Sequence, residues 1–240
     1  MIRIATLNIR QGGGNRVVGL ASFLSALNPD CLLLTEFRNN PSGHELSARL
    51  AHLGLSHQTQ LSGDPRINQL RWFSKHPFAT MRLAADRQAL DRFDQRVIGI
   101  ECAGLSLIGV YFPQRKLKAP FFEYLHSTFT VDQIGDALLM GDFNTGLHET
   151  DEQGKTFFCT EGFERLLKAG WVDAWRARNP HAMEYSWFSN KGNGFRIDHA
   201  LCTAGLDRAI TKVSYRQDTL SKGLSDHACL VMDLTLAAST

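Results

Sequence analysis

Seven apolar, strand-like segments are spread along the 240 residues of this chain. Several of them are rich in Ile, Leu and Val, a composition typical of β-strands. Four stretches between them have an apolar face at three- and four-residue steps or carry helix-boundary signals, which predicts helices. The predicted strands are Ile2–Ile9, Cys31–Phe37, Arg96–Glu101, Leu105–Phe112, Ala137–Phe143, Arg196–Cys202 and Ala228–Leu236, and the predicted helices are Val17–Leu27, Leu46–Leu53, Phe121–Phe129 and Gly162–Ala169.

The balance of strands and helices limits the fold class. The predicted helices are too few to cover two independent sheets. Two β-sheets packed on each other, with the helices outside, would bury all the apolar faces. We therefore predict an α/β sandwich. No Pro-, Gly- or Ser-rich stretch separates the strands, so a single domain over residues 1–240 is expected.

Composition narrows the class of protein further. The net charge of +2 neither requires nor excludes a nucleic-acid partner. The five cysteines are scattered without a Cys-x-x-Cys pair, which favours buried thiols in a reducing compartment over disulfides or a zinc site. The chain has no apolar run of about 18 residues and no signal-peptide core at its start. A cytoplasmic protein without membrane association is expected.

Polar residues interrupt the apolar strands near their ends. Burying a carboxylate there is costly unless it is paired or binds a metal ion. One shared polar site at an edge of the sheets would explain all of these interruptions together. The residues concerned are Asn8, Glu36, Asp142, Asn144, Asp198, Asp226 and His227.

Each of these residues alone also has a purely structural interpretation. The segment Gly141–Asn144 is compatible with a common turn, and Glu36 with a simple strand terminator. Asp226 and His227 are compatible with a cap at the start of the last strand. Only the ordered set of residues is specific for a function.

That ordered set resembles the endonuclease/exonuclease/phosphatase superfamily, and within it the exonuclease III-type branch that includes AP endonucleases. The resemblance extends from Asn8 to His227. The motifs that carry it are Leu-Asn, Thr-Glu, Tyr-Phe-Pro-Gln, Gly-Asp-Phe-Asn, Arg-Ile-Asp and Ser-Asp-His, together with the segments 170–175 and 185–188. The resemblance implies a four-layer α/β sandwich of the DNase I type, with two mixed sheets, and a metal-dependent phosphodiesterase.

The resemblance and the chemistry of the side chains suggest a metal site. Glu36 is a hard oxygen ligand suited to Mg²⁺ or Mn²⁺. Asp226 and Asn8 are expected to complete or adjoin the site, partly through water. Mg²⁺ keeps several water ligands, so a sparse set of protein ligands is sufficient.

The catalytic roles follow in the same way. Asp142 is the candidate to orient or deprotonate the attacking water. Asn144 would hydrogen-bond the phosphate, if an extended backbone places it on the same face as Asp142. His227 would donate to a phosphate oxygen while Asp198 orients its ring. Tyr111 is the expected contact to the phosphate or leaving group, although an aromatic residue at a strand end is also often structural.

Two features favour DNA as the substrate. The DNA is expected to be duplex, and the enzyme is expected to be a monomer. A basic loop, Gln114–Lys118, follows Tyr111 and could bind phosphates, with Gln114 as a further phosphate contact. Trp187, Phe195 and Ile197 match the apolar pocket that receives an abasic sugar in the exonuclease III-type branch. Core packing is the alternative role for these three residues.

Two departures from the exonuclease III-type pattern weaken the case for abasic-site specificity. Arg10, also a candidate substrate contact, stands where that branch usually has an acidic residue and resembles the DNase I branch instead. The segment between Asn144 and Glu161 is also short. A DNA-repair AP endonuclease and 3′–5′ exonuclease is the first hypothesis. A less specific nuclease, or a phosphodiesterase for small molecules or lipids, is the second, and a non-catalytic binding module is the third.

Overall fold

The structure, a computed structural model, describes residues 1–81 and 95–236. Two short 3-10 helices, at Gly14–Arg16 and Arg115–Lys118, join longer elements. The strands are β1 Ile2–Asn8, β2 Cys31–Phe37, β3 His57–Gln58, β4 Gln69–Ser74, β5 Phe78–Thr80, β6 Val97–Cys102, β7 Leu105–Tyr111, β8 Ala137–Asp142, β9 Val172–Asp173, β10 Trp187–Phe188, β11 Gly194–Phe195, β12 Asp198–Cys202, β13 Ile210–Arg216 and β14 Cys229–Leu234. The helices are α1 Val17–Leu27, α2 Pro41–His52, α3 Ala119–Thr128, α4 Thr160–Lys168, α5 Ala174–Arg178, α6 Ala204–Asp207 and α7 Asp218–Ser221.

The longer strands form two mixed sheets of six strands each. The first sheet has the order β13-β14-β1-β2-β4-β3, and the second has the order β5-β6-β7-β8-β12-β9. Each sheet contains one parallel pair, β1 with β2 in the first and β7 with β8 in the second. Strands β10 and β11 form a separate small hairpin.

Three apolar clusters hold the layers together. The central cluster joins Leu33 and Trp72 of the first sheet to Leu107 and Met140 of the second. The second cluster packs α1 and α2 against the first sheet, and the third packs α3 and α4 against the second sheet. Burial of these faces between helix, sheet, sheet and helix confirms the predicted four-layer α/β sandwich of the DNase I type.

Several boundaries differ from the sequence predictions for local reasons. Helix α2 begins at Pro41, five residues before the predicted start at Leu46, because the Asn40 side chain accepts a hydrogen bond from the Gly43 amide and caps the helix. The predicted strand from Arg196 starts at Asp198. The strands β4 and β13 were not predicted, because Arg71 interrupts the apolar pattern of one and the other is only partly buried.

A tight turn and the state of the cysteines complete the description of the fold. The connection between β6 and β7 is a two-residue turn in which Ala103 and Gly104 have positive φ angles of 52° and 80°. All five cysteines are free, and four of them are buried. None of the helices within residues 1–81 and 95–236 combines the length and the apolar character needed to span a membrane.

Candidate active site

The two parallel strand pairs bring polar residues to one edge of the sandwich. Asn8 ends β1, and Glu36 lies next to the last residue of β2. In the second sheet Tyr111 and Asp142 end β7 and β8 and are paired with each other in the register. Asp198 starts the antiparallel strand β12 and lies directly opposite Asp142. Residues far apart in sequence therefore meet where both sheets end.

A bulge directs Glu36 into this edge. The register between β2 and β4 shifts between Leu34 and Phe37, and Glu36 between them has a left-handed φ of 54°. Its carboxylate accepts hydrogen bonds from the Gln11 amide at 2.8 Å and from Asn68 Nδ2 at 3.2 Å. The strained backbone and these donors together fix the carboxylate at the strand end.

Asn8 connects the two sheets at the site. Its Nδ2 donates to Asp142 Oδ2 at 3.0 Å and to Glu36 Oε1 at 3.2 Å. Its Oδ1 accepts from the Arg10 amide at 2.9 Å. Because Asn8 is buried, one neutral side chain holds two carboxylates at a fixed separation without neutralising either of them.

His227 and Asp198 form a buried pair. Asp198 Oδ2 lies 2.8 Å from His227 Nδ1, so the ring donates through Nδ1 and directs Nε2 away from Asp198. The main chain of Asp198 is fixed by its amide, which donates to Ser186 Oγ, and by its carbonyl, which accepts from the Tyr215 hydroxyl. This arrangement orients the imidazole as a carboxylate does in other histidine-based sites.

The surroundings of Asp142, His227 and Tyr111 raise the pKa values of all three side chains. Burial, together with the neighbouring Asp198 carboxylate, raises the pKa of Asp142 to about 7. Burial alone would lower the pKa of His227, but the charge and hydrogen bond of Asp198 outweigh it and raise the pKa to about 10. Burial and the negative charge of Glu36 raise the pKa of Tyr111 to about 12. The site therefore has an excess of negative charge.

The residues present fit a divalent metal ion. Ligand atoms of Asp142, Asp198 and His227 lie within 4.8 Å of one another. His227 Nδ1 is already engaged by Asp198, and the carboxylates of Glu36 and Asp226 also lie among the residues that line the pocket. The Asp226 side chain is 42% exposed and has Arg10 Nε 3.9 Å away. Carboxylate and amide oxygens are the ligand types that suit Mg²⁺ and Mn²⁺.

A pocket of about 690 Å³ opens over these residues. Eleven of the thirteen residues predicted from the sequence line it, and the two others, Asn8 and Asp198, are buried behind the lining side chains. The eleven are Arg10, Glu36, Tyr111, Gln114, Asp142, Asn144, Trp187, Phe195, Ile197, Asp226 and His227.

Asn144 differs from the extended geometry considered above. Its φ is 52°, because its amide turns back to donate to Asp142 Oδ1 at 2.9 Å. Its Nδ2 donates to the Phe112 carbonyl at 2.8 Å. Asn144 therefore reaches the pocket from a left-handed turn, and no donor within residues 1–81 and 95–236 is hydrogen-bonded to its side-chain oxygen.

The pocket is also lined by Gln11, Asn68, Arg96 and Thr156, polar residues that were not assigned to it from the sequence. The Arg96 guanidinium stacks over the Tyr111 ring at 4.6 Å, and Asn68 contacts Glu36. Lys118, whose Nζ donates to the Asn144 carbonyl, is buried, and burial lowers its pKa to about 8. Lys118 is the last residue of the basic loop predicted to adjoin the site, whereas nothing in the sequence distinguishes Asn68.

The apolar side of the pocket is a small aromatic wall. Trp187 and Phe195 are opposite each other in the β10–β11 hairpin, with ring centroids 5.6 Å apart. Phe157 packs against Phe195 at 5.6 Å. Trp187 also forms a bridge with His227, so the wall stands beside the imidazole.

Fold and site together define a DNase I-like α/β sandwich with a polar pocket at one edge of its two sheets. A family model described as the Endonuclease/Exonuclease/phosphatase family matches residues 5–227, and the chain belongs to that family. The chain is 28% identical over 156 residues to an exodeoxyribonuclease of Bacillus subtilis (strain 168). That match covers 55% of this chain and 61% of the relative, so it spans less than two thirds of the relative's length.

Solved structures show the same fold over 98% of the chain. An AP endonuclease from Archaeoglobus fulgidus superimposes with a TM-score of 0.83 at 20% identity. A 3′ phosphatase from Neisseria bound to a product DNA hairpin gives 0.78 at 25% identity. A 3′–5′ exonuclease from Neisseria meningitidis gives 0.75 at 26% identity. In each case all of the other chain is covered.

Proposed function

We propose that this chain is a Mg²⁺- or Mn²⁺-dependent nuclease of DNA repair, an exonuclease III-like AP endonuclease and 3′–5′ exonuclease. One observation carries the proposal. Asn8 holds the carboxylates of Glu36 and Asp142 together, beside the His227–Asp198 pair, at the floor of the pocket. The single site therefore contains groups suited to bind a metal ion, to activate a water molecule and to contact a phosphate.

In the proposed metal site Glu36 is the main ligand, and Asp226 and Asn8 complete or adjoin the coordination. The ion, when bound, would stabilise negative charge on the phosphate oxygens. Two observations support this assignment: Glu36 and Asp226, both carboxylates, line the pocket, and Asn8 is hydrogen-bonded to Glu36.

The remaining catalytic roles are assigned to side chains rather than to the metal ion. Asp142 orients the attacking water and takes a proton from it, which suits a carboxylate whose pKa lies near neutral pH. His227 donates through Nε2 to a phosphate oxygen while Asp198 holds the ring. Asn144, Tyr111, Gln114 and Arg10 line the pocket where they could contact the phosphate or leaving group.

The aromatic wall and the basic residues support DNA as the substrate. Trp187, Phe195 and Ile197 offer an apolar face to a sugar or base, and Arg96 and Arg115 line the pocket as cations. The relatives point the same way, since one is an exodeoxyribonuclease and another was solved with a product DNA hairpin. Action on duplex DNA, as a cytoplasmic monomer with one domain, is part of the proposal.

A less specific DNase, or a phosphodiesterase for small molecules or lipids, is the alternative. Arg10 favours it, because this cation lies 3.9 Å from Asp226 where the exonuclease III-type pattern has an acidic residue. The short connection of 15 residues between Asn144 and Thr160 also favours it.

A substrate panel tests the proposal. Abasic duplex, intact duplex, a duplex with a 3′ phosphate, single-stranded DNA, RNA and a small phosphodiester would each be incubated with Mg²⁺, with Mn²⁺ and with EDTA. We expect metal-dependent cleavage with a preference for the abasic duplex. Equal cleavage of all polymers would select the alternative, and cleavage in EDTA would reject the metal-dependent mechanism. Asp142→Asn, assayed in parallel, excludes a contaminating nuclease.

A further inference from the structure

A second, smaller pocket lies outside the site described above. It has a volume of about 280 Å³ and lies between helix α2 and the segment that follows β3. Its lining includes Asn39, His44, Gln60 and Arg71, and it contains no Asp or Glu. A pocket with an arginine and amide groups but no acid is a chemical match for an anion.

Arg71 is held rigidly at this pocket. Its guanidinium carbon lies 5.5 Å from the ring centroid of Phe37 and 5.3 Å from that of Phe73. Its Nε donates to the Thr59 carbonyl at 2.9 Å, and its Nη1 donates to Ser47 Oγ at 2.6 Å. The planar group is therefore fixed before any ligand arrives, which lowers the entropy lost on binding.

The charge of Arg71 is not neutralised. No carboxylate within residues 1–81 and 95–236 forms an ion pair with it, and burial lowers its pKa to about 10. Nη2 donates to no atom of the described chain. A partly buried cation without a counter-ion is unfavourable, and a bound anion would compensate it.

The position of the pocket relates it to the active site. Asn39, which lines the pocket, follows the end of β2 by two residues, so the pocket lies at the same edge of the first sheet as Glu36. A DNA strand that leaves the active site along this edge would pass the pocket.

We propose that the pocket around Arg71 is a second phosphate-binding site. Its ligand is a phosphate group, either of a DNA strand that extends from the active site or of a free phosphate ion. The first source rests on the proposed nuclease function, and the second does not. Nη2 of Arg71, which donates to no atom of the described chain, is the donor for a phosphate oxygen, and the exposed Gln60 amide stands at the rim.

Inorganic phosphate tests the site without nucleic acid or turnover. The Nε–H of Arg71 is protected by its hydrogen bond to Thr59, so its NMR cross peak is observable, and the peak is assigned by its loss in Arg71→Lys. We expect the peak to move saturably with phosphate, with a dissociation constant on the order of 1 mM. Chloride at equal ionic strength should leave it in place. A peak that does not respond to phosphate overturns the proposal.

Two variants and a matched control separate the ligand sources. In an Asp142→Asn background, anisotropy would compare binding of a short duplex with one about ten base pairs longer. Arg71→Met should weaken binding of the longer duplex about 3- to 10-fold. It should also reduce the slope of log K against log salt concentration by about one. Arg49→Met removes a charge from the exposed side of α2, where it pairs with Glu45, and should do neither.

The outcomes are distinct. A phosphate-sensitive Arg71 peak with unchanged DNA binding supports the site and assigns it to free phosphate. If Arg71→Met fails to fold, Gln60→Ala on the exposed rim replaces it and should weaken phosphate binding about 2- to 3-fold. Equal effects of Gln60→Ala and Arg49→Met on phosphate binding would contradict the proposal. The phosphate titration reads the site even if the chain cleaves no DNA.

Discussion

Two buried charged clusters flank the start of strand β12 and differ in charge balance. Arg196 is fully buried, and its Nε and Nη2 lie 2.7 Å from Asp151 Oδ1 and 2.6 Å from Asp173 Oδ2, while Arg176 Nη2 lies 3.0 Å from Asp151 Oδ1. Two residues along the chain, Asp198 belongs to a cluster with Asp142 and Glu36, in which His227 is the cation paired with Asp198. The cluster around Arg196 satisfies its charges internally and is called the closed cluster. The cluster around Asp142, Asp198 and Glu36 does not, and is called the open cluster.

The difference separates structural from functional burial of charge. A closed ion network over an aromatic ring, here Trp175 at 5.0 Å from the Arg196 guanidinium, binds nothing further. Uncompensated carboxylates at the floor of a pocket are unfavourable in the free protein and retain capacity for a cation or a proton. The tripeptide Arg196-Ile197-Asp198 thus contributes one residue to each cluster.

The largest expected effect is on turnover in the open cluster. Asp142→Asn should lower kcat about 10³- to 10⁴-fold, roughly 4 to 5.5 kcal/mol, because the residue would no longer accept a proton. Its stability should change by less than about 1 kcal/mol, since the charge that is lost is already disfavoured by burial and by Asp198. Single-turnover kinetics and urea unfolding check both statements. A strongly destabilised Asp142→Asn would erase the distinction between the clusters.

The next effect is on stability in the closed cluster. Arg196→Met should lower the free energy of unfolding by about 3 to 5 kcal/mol, because Asp173 would remain buried without its arginine partner and Asp151 would keep only Arg176. Urea unfolding followed by circular dichroism measures the loss. Arg178→Met, which removes a half-exposed arginine paired with Asp207, is the control and should lose much less. Similar losses in the two variants would count against a special role of burial.

Mg²⁺ should stabilise the folded protein by binding at the open cluster, and not at the closed one. With Mg²⁺ at about 100 times its dissociation constant, the free energy of unfolding should rise by about 2.7 kcal/mol. Glu36→Gln and Asp226→Asn should reduce this gain, because they remove the proposed oxygen ligands. Thermal unfolding with and without Mg²⁺ measures it, and Glu45→Gln on the exposed face of α2 is the control. An undiminished gain in Glu36→Gln would place the metal elsewhere.

The smallest effect is on acid stability. Burial alone would raise the pKa of Asp173, but the charge of Arg196 outweighs it and holds the pKa well below the usual range. The ion pair therefore contributes stability above about pH 4, the unfolded pKa, and loses it as the pH falls towards the folded pKa. Asp173→Asn should flatten the loss of stability below about pH 4, as measured by urea unfolding at several pH values. A slope identical to that of the parent protein would show that other carboxylates control acid unfolding.

Much of the fold was predictable because most core strands are continuous apolar runs. Ala137–Asp142 is buried along its whole length and Cys31–Phe37 at every position except Glu36, and local composition is sufficient to identify both segments. Strand β4 was not predictable in this way, because Arg71 stands in its centre and is covered by Phe37 and Phe73, which come from tertiary packing. The start of α2 depended on a cap by Asn40 that a hydrophobic pattern does not show.

The sequence by itself determined which polar residues end the strands, and through their order it determined the family. Only the tertiary structure decided how their charges combine. The bridge by Asn8, the Asp198–His227 pair and the left-handed turn at Asn144 join residues from separate strands and turns. Likewise, Arg196 and Asp198 look equivalent in the sequence. Their partners lie 23 to 56 positions away, and the energy of a buried charge depends on the groups around it in space.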